Sequence, residues 1–240
     1  DLKKVIASHM EKQADITIVY RYVKIPPKVS NIGVLQLDPE FRVRDMLIDP
    51  HMEGECNFSM NIILIDRQLL MKLVEDCISR NLYDFPRDLL QRNIPHYRVY
   101  AHEFTGFMQV INSMNAYFEA NMALMLPQVR AQLFCPDRPI YTKVRDDMPA
   151  RYGLGCHVTN SLIADGCQVD GEVHNCVLFR GVKVAKGAKL DNCVIMQDSI
   201  IGRGSRLNYV VIDKDVEIKE ERSLMGFQSY PVFISKGSIV

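Results

Sequence analysis

The residues that could do chemistry are few. Seven cysteines, Cys56, Cys77, Cys135, Cys156, Cys167, Cys176 and Cys193, are odd in number and scattered, and none forms a CxxC pair of the kind zinc sites and dithiol centres use. Cys167, Cys176 and Cys193 fall inside a repeated stretch, where small buried thiols that stack are the reading to set against a metal ladder. His157 and His174 could each act as the general base of an acyl transfer, against a plain surface or turn role. Asp84 and Asp88 suggest a carboxylate pair for acid–base work, but Asp84 reads more simply as a helix N-cap and Asp88 as a helix-surface charge. Arg138, Lys143, Arg145 and Arg151, followed by Arg180 and Lys183, could converge on an anion or form a solvated basic surface. No glycine-rich loop able to cradle a phosphate is present.

Composition narrows the partners. The 240 residues carry 29 basic and 29 acidic side chains, so no basic excess exists to neutralise a nucleic acid. The longest apolar runs are about ten residues, well short of the roughly 20 that span a bilayer, and Asp1 to Lys12 reads as an amphipathic helix rather than a signal peptide. The expectation is a reduced, cytoplasmic chain that meets neither nucleic acid nor membrane. Because it begins at Asp1 rather than Met, it is also expected to be a fragment whose first part, with any nucleotide-binding turn, lies outside it.

The elements that would position these residues follow from apolar spacing. Leu2, Val5, Ile6 and Met10 fall at helical intervals, and Ile16, Ile18 and Tyr20 alternate as in a strand. After Pro26 and Pro27, Asn31 to Leu37 and Phe41 to Leu47 read as strands joined by a turn at Asp38 to Glu40, and Met60 to Ile65 as a strand of the fully buried type. Asp66 caps a helix to about Ser79, a short helix covers Pro86 to Gln91, and Val99 to Phe104 is a further strand. Ser113 caps a helix from Met114 to about Leu126, ended by Pro127, whose Tyr117, Phe118, Met122, Leu124 and Met125 read as core and inter-domain packing. Pro127 to Pro149 loses period and reads as a linker.

Beyond Tyr152 the quartets NSLI, NCVL, NCVI and NYVV, starting at Asn160, Asn175, Asn192 and Asn208, recur at 15, 17 and 16 residues. Six-residue steps, three to a coil of about 18, place apolar residues such as Ile195, Ile201 and Leu207 on successive flat faces. Such a coil buries its interior only by stacking on its neighbours, which defines a parallel β-helix.

The first part, segment by segment and in order, resembles the second half of the catalytic domain of the bacterial ADP-glucose pyrophosphorylase family. NIGVLQLDPEFRVRDMLIDP is similar to the family's GVMxVDxxxxIxxFxEKP, NFSMNIILID to its SMGIYxF strand, and YDFPRDLL to its DFGKDLIP. GFMQVINSMNAYFEANMALM is similar to YWRDVGTxxxYxxANxDL, and IYTKVRDDMPAR to the entry into the β-helix. The resemblance implies an α/β fold: the C-terminal half of a nucleotidyltransferase domain, a Rossmann-like mixed sheet, over residues 1–134, a linker over 135–152, and a left-handed parallel β-helix of hexapeptide repeats over 153–240.

Where this sequence departs from the family, chemistry is lost. The lysine that contacts the phosphate of glucose 1-phosphate aligns with Asp49, and the glutamate before it with Ile48. Reversing a unit charge at about 4 Å and an effective dielectric of 20 is an upper-bound swing of about 8 kcal/mol, against only about 4 to 8 kcal/mol for millimolar to micromolar binding. The family's magnesium-holding aspartate aligns with Gln109 and the flanking arginine with Met108, while its glycine in SMG aligns with Asn61 and Ser59 is kept as a vestigial substrate-binding residue. The resemblance therefore implies a GlgD-type regulatory subunit: non-catalytic, holding no cofactor itself, and assembled with a catalytic subunit that keeps the magnesium. Allosteric anions bind this family, and Arg145, Arg151, Arg180 and Lys183 are the effector candidates. The alternatives are an active glucose-1-phosphate adenylyltransferase with a reorganised site, in which Glu103 or Asp88 compensates, and a hexapeptide acyltransferase.

Overall fold

The computed structural model describes residues 2–24, 32–50, 54–142 and 145–240. Its contacts divide the chain into two compact units, Asp1–Gly106 and Phe107–Val240. Lys143, Pro26, Pro27 and Asn31 lie outside the described residues.

In the first unit α1 (Leu2–Glu11) leads into β1 (Ile16–Lys24), β2 (Gly33–Leu37), β3 (Val43–Ile48) and β4 (Glu55–Ile65), then α2 (Arg67–Ser79) and β5 (Val99–Glu103). The strand order is β3-β2-β4-β1-β5, and only the β1–β5 pair is parallel. The sheet curls enough for its two outer strands to approach: Phe41 accepts a 2.8 Å hydrogen bond from the Ala101 N–H, and Arg42 bridges Tyr100. Ile16 to Tyr20 are buried on both faces of β1, because α1 covers one of them; there His9 shares a 2.8 Å hydrogen bond with the buried Thr17 hydroxyl. The other face meets Leu73 and Cys77 of α2, with Leu89, Leu90 and Ile94 from a π-type turn over Phe85–Leu90 and a 3-10 turn over Gln91–His96. Each such fully buried aliphatic side chain contributes about 1.5–3 kcal/mol. The strand expected to be buried throughout over Met60 to Ile65 is the end of the longer β4, and Ile62 there is 43% exposed.

In the second unit α3 (Met114–Ala123) starts at Ser113, whose hydroxyl accepts from the Ala116 N–H. The helix stops at Ala123, short of the expected Leu126, and Pro127 does not merely end it. Pro127 opens a second helix, α4 (Pro127–Leu133), in the first-turn position where its missing N–H costs nothing. Part of the stretch read as linker is thus helical.

From Arg151 onward short strands stack into three parallel five-stranded sheets. Val158, Val173, Leu190, Leu207 and Leu224 form one inward column, Ile163, Leu178, Ile195, Ile212 and Ile234 a second, and Val169, Val184, Ile201 and Ile218 a third, with the exposed Tyr152 paired to Val169 at its start. The coil is 17 residues in the ladders that join Asn175 to Asn192, and 15 where Asn160 joins Asn175, rather than about 18. One side is a five-residue step because a single left-handed residue turns that corner, at Asn160, Asn175, Asn192 and Tyr209, with φ between 40° and 53°. The fourth quartet is therefore one residue out of register. Asp191 pairs with Asn208, so Tyr209, not Asn208, stands where Asn192 stood one coil earlier.

The side of the solenoid carrying Val177, Val194 and Val211 is covered by Phe118 of α3. Phe118 and Tyr209 meet edge to face at 5.9 Å. Of the packing residues expected on this helix, Tyr117, Phe118, Met122 and Met125 pack against the coils, and Leu124 and Met125 lie past its end.

Candidate functional site

Asp49 follows β3 with φ at 51°, a conformation that aspartate and asparagine tolerate better than other side chains. Its backbone N–H donates to the Ile32 carbonyl at 2.9 Å, and its carboxylate accepts from the Ile32 N–H at 3.0 Å. The two bonds close the open end of the β2–β3 hairpin, just beyond the Gly33–Ile48 pair. The residue is exposed, so any anion approaching this turn meets a carboxylate fixed in place.

Across β2 lies β4, whose pairing with β1 shifts between Val19 and Tyr20: Val19 faces Ile62 while Tyr20 faces Ser59, which leaves Met60 and Asn61 as extra residues in a bulge. Asn61 carries the left-handed turn, with φ at 55°, and its N–H donates to the Ser59 hydroxyl at 3.3 Å. Asparagine thus keeps the backbone shape that glycine would give, and Ser59 is 1% exposed and engaged in holding that bulge.

Met108 and Gln109 lie in the second unit on backbone with neither helix nor strand, Met108 half-buried and Gln109 exposed. Gln109 offers a neutral amide where magnesium would need a carboxylate, a donor set that does not fit that ion. Among the described residues no cluster of three or more His, Cys, Asp or Glu could hold a metal.

Of the carboxylates that would have to compensate, Asp88 is committed to a helix cap. Asp84 accepts from the Arg87 N–H as the expected N-cap. Asp88 is not a surface charge but the second half of that cap: its carboxylate takes the N–H groups of Tyr83 and Asp84 at 3.1 and 2.9 Å. Glu103 ends β5, exposed.

The basic candidates gather on one side of the solenoid. Arg151, Gln168 and Lys183 are consecutive in one outward row, and Arg180 sits at the adjoining turn, where its carbonyl accepts from Asp198. Arg145 reaches the same turn but is already paired, 3.0 Å from Asp147 and 3.4 Å from Asp198. The hydrogen bond it donates to Asp198 and the two carboxylate charges hold its guanidinium above its ordinary pKa. Arg151 contacts Gln168 at 3.3 Å. Arg138 is exposed in the segment after α4.

Neither histidine is placed as a base. His157 is exposed, and His174 shares its Nδ1 with the Thr159 hydroxyl at 2.6 Å. The thiols of Cys176 and Cys193 stack inside the coils as expected, donating to the carbonyls of His174 and Asp191. Cys176 also accepts from the Cys193 N–H at 3.3 Å, a role Ser161 fills for Cys176 one coil earlier. Desolvation pushes the Cys193 and Cys167 thiols above the ordinary range.

One feature of the corner escaped the sequence reading. Asn160, Asn175, Asn192 and Asn208 link their side-chain amides into a ladder, each donating to the next. The recurring quartets were its only sequence signal.

A mixed-sheet unit followed by a solenoid of stacked coils defines a hexapeptide-repeat β-helix protein, and residues 146–229 match the family described as GlmU-like, C-terminal hexapeptide. Over 181 residues the chain is 41% identical to the glycogen biosynthesis protein GlgD of Bacillus subtilis (strain 168), covering 75% of this chain and 52% of that protein. It is 36% identical to the protein of the same name from Geobacillus stearothermophilus, covering 60% of this chain and 44% of that one. It is also 32% identical to a glucose-1-phosphate adenylyltransferase of Thermotoga maritima, over 75% of this chain and 43% of the enzyme. The chain belongs to the bacterial ADP-glucose pyrophosphorylase family, and proteins named GlgD are among its relatives. It spans about half the length of the curated relatives it matches.

Proposed function

We propose that this chain is part of a regulatory, non-catalytic subunit of glucose-1-phosphate adenylyltransferase in bacterial glycogen biosynthesis. It works beside a catalytic subunit in a hetero-oligomer, in the cytoplasm, and magnesium is held by the partner. The observation that carries this reading is Asp49, a carboxylate bonded into the hairpin end where the family presents a lysine to the sugar phosphate. Gln109 points the same way, since a neutral amide cannot neutralise charge in phosphoryl transfer. Regulation would act through an anionic effector on Arg151, Arg180 and Lys183, with Arg145 available once it leaves Asp147 and Asp198.

The test is ADP-glucose formation from ATP, glucose 1-phosphate and magnesium, by the protein expressed from its complete coding sequence, alone and mixed with a catalytic subunit. Silence alone with changed turnover or substrate response in the mixture supports the reading. Robust activity alone replaces it with an active enzyme whose site is reorganised.

A further inference from the structure

Between α3 and the amide ladder runs a groove of about 470 Å³, within the size range of small-molecule sites. One wall is apolar, made by Met122, Met125 and Leu126, and Leu126 is 56% exposed. The opposite wall is Asn160, Asn175 and Asn192, one amide per coil and so about 4.8 Å apart. Asn175 and Asn192 each spend one N–H and one carbonyl lone pair within the ladder and Asn160, at its start, spends one N–H only, and among the described residues these side chains have no other hydrogen bond. An amide has two N–H donors and two lone pairs, so a donor and an acceptor remain at each step. Gln228 adds a further amide, and the Tyr209 ring lines the same space.

The charge of the groove decides what it can take. Its one ionisable carboxylate is Glu119, already accepting from Asn115 at 2.8 Å, and no lysine, arginine or histidine lines it. A phosphate or a nucleotide would meet a carboxylate and no counter-charge. A sugar fits both walls, because each hydroxyl donates and accepts as a primary amide does, and its C–H faces pack on methionine and aromatic surface. We infer that this groove binds a neutral oligosaccharide, laid along the solenoid with its hydroxyl edge on the asparagine ladder. The inference goes beyond the regulatory reading, and its assay involves no adenylyl transfer, so either can fail while the other stands.

The test is calorimetric titration of the protein with maltoheptaose and with cellohexaose, and with fructose 1,6-bisphosphate as the anionic comparison. Saturable binding of at least one neutral sugar, with Kd of about 1 mM or tighter, is expected. Ala123→Trp, which fills the groove beside Met122, should weaken it about tenfold or more. Gln228→Ala, at an exposed residue, should weaken it about threefold with the melting temperature unchanged. Absence of neutral-sugar binding overturns the inference. So does binding that both variants leave intact, or displacement of the sugar by fructose 1,6-bisphosphate.

Discussion

Asn61 holds a left-handed turn that a glycine would also accept. Its φ of 55° is available to asparagine but costs a β-branched residue about 1–2 kcal/mol. Asn61→Gly should therefore leave stability within about 0.5 kcal/mol, while Asn61→Val should lower it by about 1–2 kcal/mol, both read from urea midpoints. Asp49 makes the complementary point. Asp49→Lys, which introduces the lysine that the motif resemblance implies at this position, removes the acceptor for the Ile32 N–H and should cost about 0.5–1.5 kcal/mol, whereas Asp49→Asn keeps an acceptor and should cost less. Under the regulatory reading, Asp49→Lys alone should restore no ADP-glucose synthesis, because Gln109 still offers no carboxylate. Activity from that single change would show that Gln109 was never limiting.

At the scale of the elements, the coil interior explains why thiols recur there. Ser161, Cys176 and Cys193 occupy one column, each bonding a carbonyl two residues back, and the first two also accept an N–H from the coil above. Cys176→Ser should be tolerated, since Ser161 already makes that pattern, whereas Cys176→Ala strands the buried Cys193 N–H and should cost about 1–3 kcal/mol. Thiol labelling of the native protein gives a second check. Cys135 and Cys156 are partly exposed and should react quickly with a disulfide reagent at pH 8, while the buried Cys56, Cys77, Cys167, Cys176 and Cys193 should wait for unfolding. For Cys56, Cys167 and Cys193 desolvation also raises the pKa, which lowers the thiolate fraction. The stacking was legible in the sequence because every coil must repeat its inward residues. The exact register was not: Asn208 continues the asparagine side-chain ladder while Tyr209 takes over the left-handed corner, so the motif and the backbone part company by one residue.

At the scale of the molecule, periodicity shows that a helix has a buried face but not which surface meets it. The spacing of Tyr117, Phe118 and Met122 makes the face of α3 plain, and their partners, with Met125 just past the helix end, are Val177, Val194 and Val211, each from a different coil. No local pattern carries that information, since the contacts join residues separated by more than half the solenoid. Phe118 is 3% exposed, and truncating it leaves a hole against all three valines; Phe118→Ala should cost about 3–5 kcal/mol. Hydrogen exchange would locate the loss. Protection should fall in the strands that contain Val177, Val194 and Val211, and in α3, while β1 and β4 of the first unit keep theirs. If protection instead fell in β1 and left the coils unchanged, α3 would be holding the sheet together, and its assignment to the solenoid unit would be wrong.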